Sequence, residues 1–570
     1  MLTSWGLKNY KSIYEADIEL APLTILTGTN SSGKSSLIQS MLLIAQTIAD
    51  KDEENPLTQA GKFLDIVNFE DIRSYYENGK EGKKFEPLEF RWNYEFKNKR
   101  YYKHRLPGKI WDKIVATPSF NYSIDEYYKK VNGEINVKVI FDCDNVNSGQ
   151  MIFKPKICIV KESIKSGDGN ENIPLGEIQI TENEKGEKDV FFNEEFVLDI
   201  KIVETVMKEK GVHFLPKIKI KFEVPRVNDF KPIIIRGSSD LEIEQAFSAE
   251  IEEVTKSYKK NANQLEYNSF AEENSIFLER VIAELNDYFT KQFKYLGPLR
   301  VHDSIHKPTK ADDPKDVGRE GENCAVVIDA NKDKKVMYIS SKVFNQIITG
   351  NMETEKIVEK DKLLGDALND WLKYLDVAYR IEPKRINRGY ELKFIVNENF
   401  SVNLSEVGTG VSQVLPVLVS CLLADTGSTL IFEQPELHLH PKVQSRLADF
   451  FISMALLDKQ CIIETHSEYF IDKLRLRICQ SLLRDNVEIK KLAKIYFFDK
   501  NGLETSIKEI EINEFGDYNI WPNDFFDELQ HIGDDILNSI NEKMFKNESS
   551  INEENINDDM KLDNLETHDD

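Results

Sequence analysis

The stretch LTILTGTNSSGKSSLIQSMLLIAQTI, residues 23–48, constrains this chain more than any other. It reads as a short apolar strand, a Gly-rich turn and an amphipathic helix. The turn fits GxxxxGK[ST], with Gly28, Gly33, Lys34 and Ser35 in register. Backbone N–H groups of such a turn can wrap a polyphosphate, because Gly and Ser place no bulk against it. The helix N-terminus adds partial positive charge. In this pattern Lys34 reaches the β- and γ-phosphates and the Ser35 hydroxyl ligates Mg²⁺. Asn30, Ser31, Ser32 and Ser36 complete the polar lining of the turn. The plain alternative is a Gly/Ser-rich loop that happens to precede a helix. Strand, loop and helix follow in the required order, which favours the phosphate site.

At 570 residues the chain is too long for one ordinary core, and two or three domains are expected. Its net charge is −24, and residues 547–570 hold nine acids and one lysine, so the remainder is still acidic. Such a chain as a whole is no electrostatic match for nucleic acid. A DNA-binding surface would have to be a local basic patch or come from a partner. Cys143, Cys158, Cys324, Cys421, Cys461 and Cys479 are scattered, with no CxxC pair. They read as buried thiols of a reducing cytosol rather than zinc ligands or a disulfide framework. The opening MLTSWGLKNYK has no apolar signal core. The longest apolar run, Val414 to Ala424, is short of the ~20 residues that span a bilayer. The expectation is a soluble cytoplasmic protein without a membrane partner.

Residues 2–20 read as two strands around a turn. From about residue 86 to 235, runs such as EINVKVIFD and PIIIR alternate with turn residues, a β-rich pattern. Asp142 and Asp144 form a DxD that suits a nuclease metal site, but a polar turn after a strand at Val137–Phe141 explains it more simply. Residues 240–293 read as one or two long helices, 343–377 as helical and 380–398 as a hairpin. Late strands are expected at 495–498 and 506–512. The element GDYNIWPNDFFDEL follows at 516–529, and a charged tail beyond 545 is expected to be disordered. The fold class is α/β. The expected organisation is an ATPase head N-terminal part (1–85), a β-rich insertion (86–238), a long helical segment (239–294) and a connecting α/β region (295–400). A C-terminal head part (401–500), a C-terminal element (501–545) and an acidic tail (546–570) complete it.

Three later stretches carry chemistry. In TLIFEQPELHLHP, residues 429–441, an apolar strand ends at Glu433 and Gln434. A carboxylate there can hold Mg²⁺ through water and complete the P-loop chemistry. The strand at 460–464 ends in Thr465-His466-Ser467, and an imidazole at that tip can contact a γ-phosphate; its alternative is a surface or capping role. In SVNLSEVGTGVSQVLPV, residues 401–417, a Gly-rich turn opens an apolar helix. Its free N–H groups and hydroxyls suit an anion, unless it is a simple loop-to-helix cap.

The order of P-loop, insertion, Gly-rich signature, strand with acid and switch histidine resembles the ABC ATPase heads of the SMC/RecF and OLD-type class. More narrowly, VGTGVSQVLP, EQPELHLHP, YLGPLR and WPNDFFD resemble the signatures of a family of bacterial AAA family ATPases. The resemblance implies ATP and Mg²⁺ as ligands. It also implies a head-to-tail dimer in which the signature, with Ser405, Gly408, Gly410 and Ser412 as candidates, closes over the partner's nucleotide. Lys11, in the NYKS turn, would lie beside the nucleotide, unless it is a solvent lysine on an edge strand. His438–Pro441 takes the place of the D-loop, and Gln59 is the nearest candidate for a Mg²⁺-contacting glutamine. One departure matters: where this class has Asp-Glu, this chain has Glu433-Gln434. A glutamine can orient water but cannot accept its proton, which predicts slow turnover or a base supplied elsewhere, Glu436 being nearest. The expected function is an ATP-hydrolysing switch that acts on DNA or a separate effector or nuclease in anti-phage defence or DNA repair. The alternative is a nucleotide-sensing scaffold without meaningful hydrolysis. A transporter subunit fits poorly with so large a segment between P-loop and signature.

Overall fold

The computed structural model describes residues 1–50, 57–58, 60–66, 72, 87–102, 128–145, 151–165, 172–182, 188–192, 222–223, 234–235, 281, 284–300, 315–350, 359–387, 389–397, 400–403, 409–482, 488–513 and 515–520. The chain divides into one unit at Met1–Asn519 and another at Ile520–Asp570. The WPNDFFD element, the acidic tail, Gln59, and Ser405 and Gly408 lie outside the described residues, as does most of the expected helical segment 239–294.

Strand β1 (Leu2–Tyr10) turns at Lys11 and Ser12 into β2 (Ile13–Glu19), and β3 (Leu23–Gly28) leads to helix α1 (Lys34–Ala49). The next strands are β4 (Leu88–Tyr102), β5 (Tyr128–Asn145), β6 (Met151–Lys165), β7 (Asn172–Glu182), β8 (Lys188–Phe192), β9 (Phe222–Glu223) and β10 (Ile234–Ile235). They form one antiparallel sheet in the order β2-β1-β4-β5-β6-β7-β8-β10-β9. The β-rich residues therefore continue the sheet begun by the first hairpin, because β4 pairs with β1. Asp142 and Asp144 lie within β5, opposite Lys154 and Ile152, so the DxD is strand and not a polar turn.

After a π-helix at Tyr288–Gln292 come β11 (Phe293–Leu296), α2 (Cys324–Asn331), β12 (Lys335–Tyr338), α3 (Ser341–Thr349), β13 (Glu359–Leu363) and α4 (Leu364–Leu375). The helical expectation for 343–377 is thus interrupted. Gly350, at φ 72°, caps α3 by donating to the Gln346 and Ile347 carbonyls, and β13 pairs with β12 before α4 begins. The hairpin β14 (Arg380–Ile386) and β15 (Gly389–Asn397) gains a third strand, β16 (Phe400–Asn403). Then follow α5 (Thr409–Leu423), β17 (Thr429–Glu433), α6 (Pro441–Ala455), β18 (Gln460–Glu464), α7 (Glu468–Leu482), α8 (Ile489–Leu492), β19 (Ala493–Asn501) and β20 (Glu504–Ile510).

The second large sheet runs β11-β17-β18-β3-β19-β20 and is parallel except for β20. Helix α1 contacts both β1 and β3 and so sits between the two large sheets. It is buried on almost every side rather than amphipathic. Such a helix must satisfy its polar groups internally. Trp5 Nε1 donates to Ser40 Oγ at 2.9 Å, and Gln46 Nε2 donates to the Thr58 carbonyl at 2.6 Å. Trp5 itself stacks on Trp92 of β4 with centroids 5.6 Å apart, joining the first strands to the core under α1.

At the start of β18, the buried Gln460 amide ties the two sheets together. Its Oε1 accepts from Leu2 N at 3.1 Å and Thr429 Oγ1 at 2.6 Å. Its Nε2 donates to the Leu2 carbonyl at 2.6 Å and the Ala21 carbonyl at 3.1 Å. All four hydrogen-bonding positions of the amide are used. Replacing Gln460 by Leu leaves several buried groups unpaired, each worth about 1–3 kcal/mol. We expect Gln460→Leu to lower the midpoint of thermal unfolding clearly, and Gln460→Glu, which sets a buried carboxylate oxygen against the Leu2 and Ala21 carbonyls, to lower it as well.

Candidate nucleotide-binding site

The site lies at the carboxyl ends of the parallel strands, where open α/β sheets bind ligands. Strand β3 delivers Gly28 and the turn to the first residue of α1. Two glycines are required by geometry. Gly28 has φ 130°, and a Cβ there would fall 2.0 Å from the Phe498 carbonyl oxygen of β19. Gly33 has φ 106°, and a Cβ there would fall 2.3 Å from Thr505 Oγ1 of β20. The β19–β20 hairpin thus braces the turn from behind. Lys34 is buried, and its ammonium donates to the carbonyls of Gly28 (3.1 Å) and Thr29 (2.7 Å). Burial lowers its pKa from the ordinary lysine value. Asn30 and Ser31 are exposed and Ser36 is half-buried. Ser32 is 1% exposed, and its hydroxyl has no hydrogen-bond partner among the described residues.

The β1–β2 turn packs beside this loop. Thr505 Oγ1 donates to Ser12 Oγ at 2.8 Å, and Ser12 Oγ would lie 3.1 Å from a Cβ on Gly33. Lys11, at φ 52°, bonds through its ammonium to Gln39 of α1 and through its backbone N–H to the Ile72 carbonyl at 2.8 Å. It is therefore held against the P-loop helix rather than standing free on an edge strand.

Three carboxylates lie near one another at the ends of β17 and β18. Glu433 ends β17; its Oε1 accepts from the Tyr295 hydroxyl of β11 at 2.8 Å. Glu436 is buried, and its Oε1 accepts from the His466 backbone N–H at 2.8 Å. Its Oε2 has no hydrogen-bond partner among the described residues. The third acid, Glu464, ends β18, and Ser35 Oγ donates towards both its oxygens at 3.2 and 3.4 Å. Burial first, then the Glu433 and Glu436 carboxylates, push the Glu464 carboxyl up to about 7, against the pull of Lys34 and Ser35. Burial also raises Glu433 and Glu436. The surrounding chain and the Lys34 ammonium hold the His466 imidazole below its ordinary value.

Gln434 sits at φ 44°, a left-handed conformation for a non-glycine residue. Its N–H donates to the Glu464 carbonyl at 2.8 Å, and its carbonyl accepts from Arg300 Nη1 at 3.3 Å. Arg300 Nη2 donates to the Glu433 carbonyl at 2.8 Å. The Arg300 carbonyl in turn accepts from Gln413 Nε2 of α5 at 3.0 Å. The expected signature begins close by: a Cβ on Gly410 would lie 2.8 Å from the His438 carbonyl oxygen. Ser412 is 3% exposed and so turned into the chain. His440 is a helix cap, its Nδ1 accepting the Lys442 N–H at 3.3 Å.

Sequence reasoning names Glu433, Gln434, Glu436 and His466 but not Glu464, Arg300, Tyr295 or Gln413. For Glu464 a signal existed, since QCIIE is an apolar strand ending in an acid just as TLIFE is. Among the described residues no three His, Cys, Asp or Glu side chains are grouped as a complete cation cage. A hydroxyl and one or two carboxylates fit Mg²⁺, which takes its remaining ligands from water and substrate phosphates.

Residues 1–471 match the family described as "AAA ATPase domain" (AAA_15), and residues 490–531 match one described as "Protein of unknown function (DUF3696)". No curated protein matches the chain. Among solved structures, an Smc head bound to the C-winged helix domain of ScpA is 9% identical over 90% of this chain and 98% of that one, with a TM-score of 0.35. A Pyrococcus furiosus Smc head with an extended coiled coil, bound to the C-terminal domain of ScpA, is 11% identical over 90% and 96%, at 0.31. An SMC head domain from Thermotoga maritima is 9% identical over 90% and 99%, at 0.29. No helix among the described residues is long and apolar enough to cross a membrane. With its P-loop, its parallel sheet and a match over residues 1–471, the chain belongs to the AAA ATPase domain family, a P-loop ATPase fold whose members bind nucleotide with Mg²⁺.

Proposed function

We propose that the protein is a slow, ATP-hydrolysing switch that works as a head-to-tail dimer and transmits its nucleotide state to DNA or to a separate effector in defence or repair. The observation that carries this reading is the convergence of Lys34, Ser35, Glu433, Glu436, Glu464 and His466 at the carboxyl end of the parallel strands. Lys34 and the turn amides bind the β- and γ-phosphates. Ser35 holds Mg²⁺, which supplies charge neutralisation on the transferring phosphoryl group. Gln434, fixed at both backbone ends, orients the attacking water, and His466 approaches the γ-phosphate. Glu436, two residues after Gln434, is the candidate to accept the water's proton, which the Gln434 amide cannot take. Across the dimer, Gly410 and the signature residues around it contact the partner's nucleotide, with Ser405 and Ser412 as the two candidate serines.

Turnover is slow in this reading because the water meets an amide, not a carboxylate. Phosphoryl transfer depends mainly on positioning, so hydrolysis survives that substitution. The competing reading, a nucleotide sensor without hydrolysis, rests on the same Gln434.

Steady-state phosphate release separates the two. The switch reading expects a low but measurable wild-type rate, reduced at least roughly 100-fold in Lys34→Ala, as when a main phosphate contact is removed. A wild type with no turnover, regaining it only in Gln434→Glu, would establish the sensor instead. If the enzyme reading holds, Gln434→Glu raises the rate by about tenfold or more, the scale of an added general base.

A further inference from the structure

Strand order decides which acid stands nearest the P-loop serine. Strand β18 lies between β17 and β3, so Glu464 is interposed between Glu433 and the loop. The register places Glu433 beside Glu464 and Glu464 beside Leu26, so the two carboxylates leave the sheet on the same side. Glu433 is engaged elsewhere: its side chain takes the Tyr295 hydroxyl at 2.8 Å and its carbonyl takes Arg300. Glu464 takes the Ser35 hydroxyl. The loop carries an independent mark of a ligand, the Ser32 hydroxyl, buried and without a partner among the described residues.

We infer that Glu464, rather than Glu433, is the principal positioning acid for the divalent cation of this site. By accepting the Ser35 O–H, it leaves the oxygen lone pairs of that serine directed to the cation, and its own charge adds to the attraction. This is the same arrangement by which hydrogen-bonded outer partners fix metal ligands in general. The inference rests on the nucleotide site proposed above.

The test uses the full chain, a non-hydrolysable ATP analogue and Mn²⁺ as a paramagnetic probe. Metal affinity is read by electron paramagnetic resonance, and nucleotide affinity is read separately in EDTA. Glu464→Gln is expected to weaken Mn²⁺ binding about tenfold or more, the usual cost of losing such a partner, with analogue affinity in EDTA nearly unchanged. Glu433→Gln is expected to weaken Mn²⁺ less. Ser35→Ala combined with Glu464→Gln should be no worse than the poorer single variant, because both act through one contact. Glu464→Asp, which keeps the charge, should lie between wild type and Glu464→Gln and guards against a folding defect in the latter. Unchanged Mn²⁺ affinity in Glu464→Gln, or a larger loss in Glu433→Gln, overturns the inference while the nucleotide site stands. A wild type that binds no analogue, with Lys34→Ala identical to it, overturns both.

Discussion

The parallel ladder of β17, β18 and β3 is the constraint on which the site depends. Its register places Glu433 beside Glu464 and Glu464 beside Leu26, two residues before Gly28. A slip of one residue in β18 would turn Glu464 to the opposite face. That register is fixed at both ends of the strand. At its start Gln460 is bound to Leu2, Ala21 and Thr429; at its end the Glu464 carbonyl takes the Gln434 N–H and Thr465 N donates to the Leu26 carbonyl at 3.0 Å. The apolar residues between, Cys461, Ile462 and Ile463, are fully buried and hold the strand inside the sheet. The chemistry at the strand tips therefore inherits its precision from the core.

A second buried set connects helix α5 to the same tips. Gln413 of α5 bonds the Arg300 carbonyl, and the Arg300 guanidinium bonds the carbonyls of Glu433 and Gln434. Burial lowers the Arg300 pKa to about 10, and its Nε lacks a hydrogen-bond partner among the described residues, as does Gln413 Oε1. Buried polar groups of this kind cost stability unless their geometry is kept, so a shift of α5 is felt at Gln434.

Much of this could be read from residues near one another in the chain. The P-loop, the strands ending at Glu433 and Glu464, and the NYKS turn are local patterns with local chemistry. What could not be read depends on strand order and on packing partners far away in sequence. Glu464 matters because β18 is inserted between β17 and β3, which no single segment records. The same holds for YLGPLR, a recognisable motif whose Arg300 finds its role only against residues more than 100 positions later. Helix α1 reads as amphipathic because Ser40, Gln46 and Thr47 are polar. Each of them instead finds a buried partner once a sheet covers either side. The DxD at Asp142 fits a turn by composition, but pairing with β6 carries the strand through it.

Gln434 joins these contacts in one residue. A non-glycine residue at φ 44° costs roughly 1–3 kcal/mol and persists only where the surroundings over-determine it. Here they do: the Glu464 carbonyl holds its N–H and Arg300 holds its carbonyl. The strain is spent on direction, because the left-handed turn sends the chain on to Glu436, whose carboxylate then reaches the His466 N–H. An amide at this position cannot take a proton, yet its backbone links the acid of β17, the acid of β18 and His466. The backbone at residue 434 thus has a structural role of its own, separate from any chemistry of its side chain.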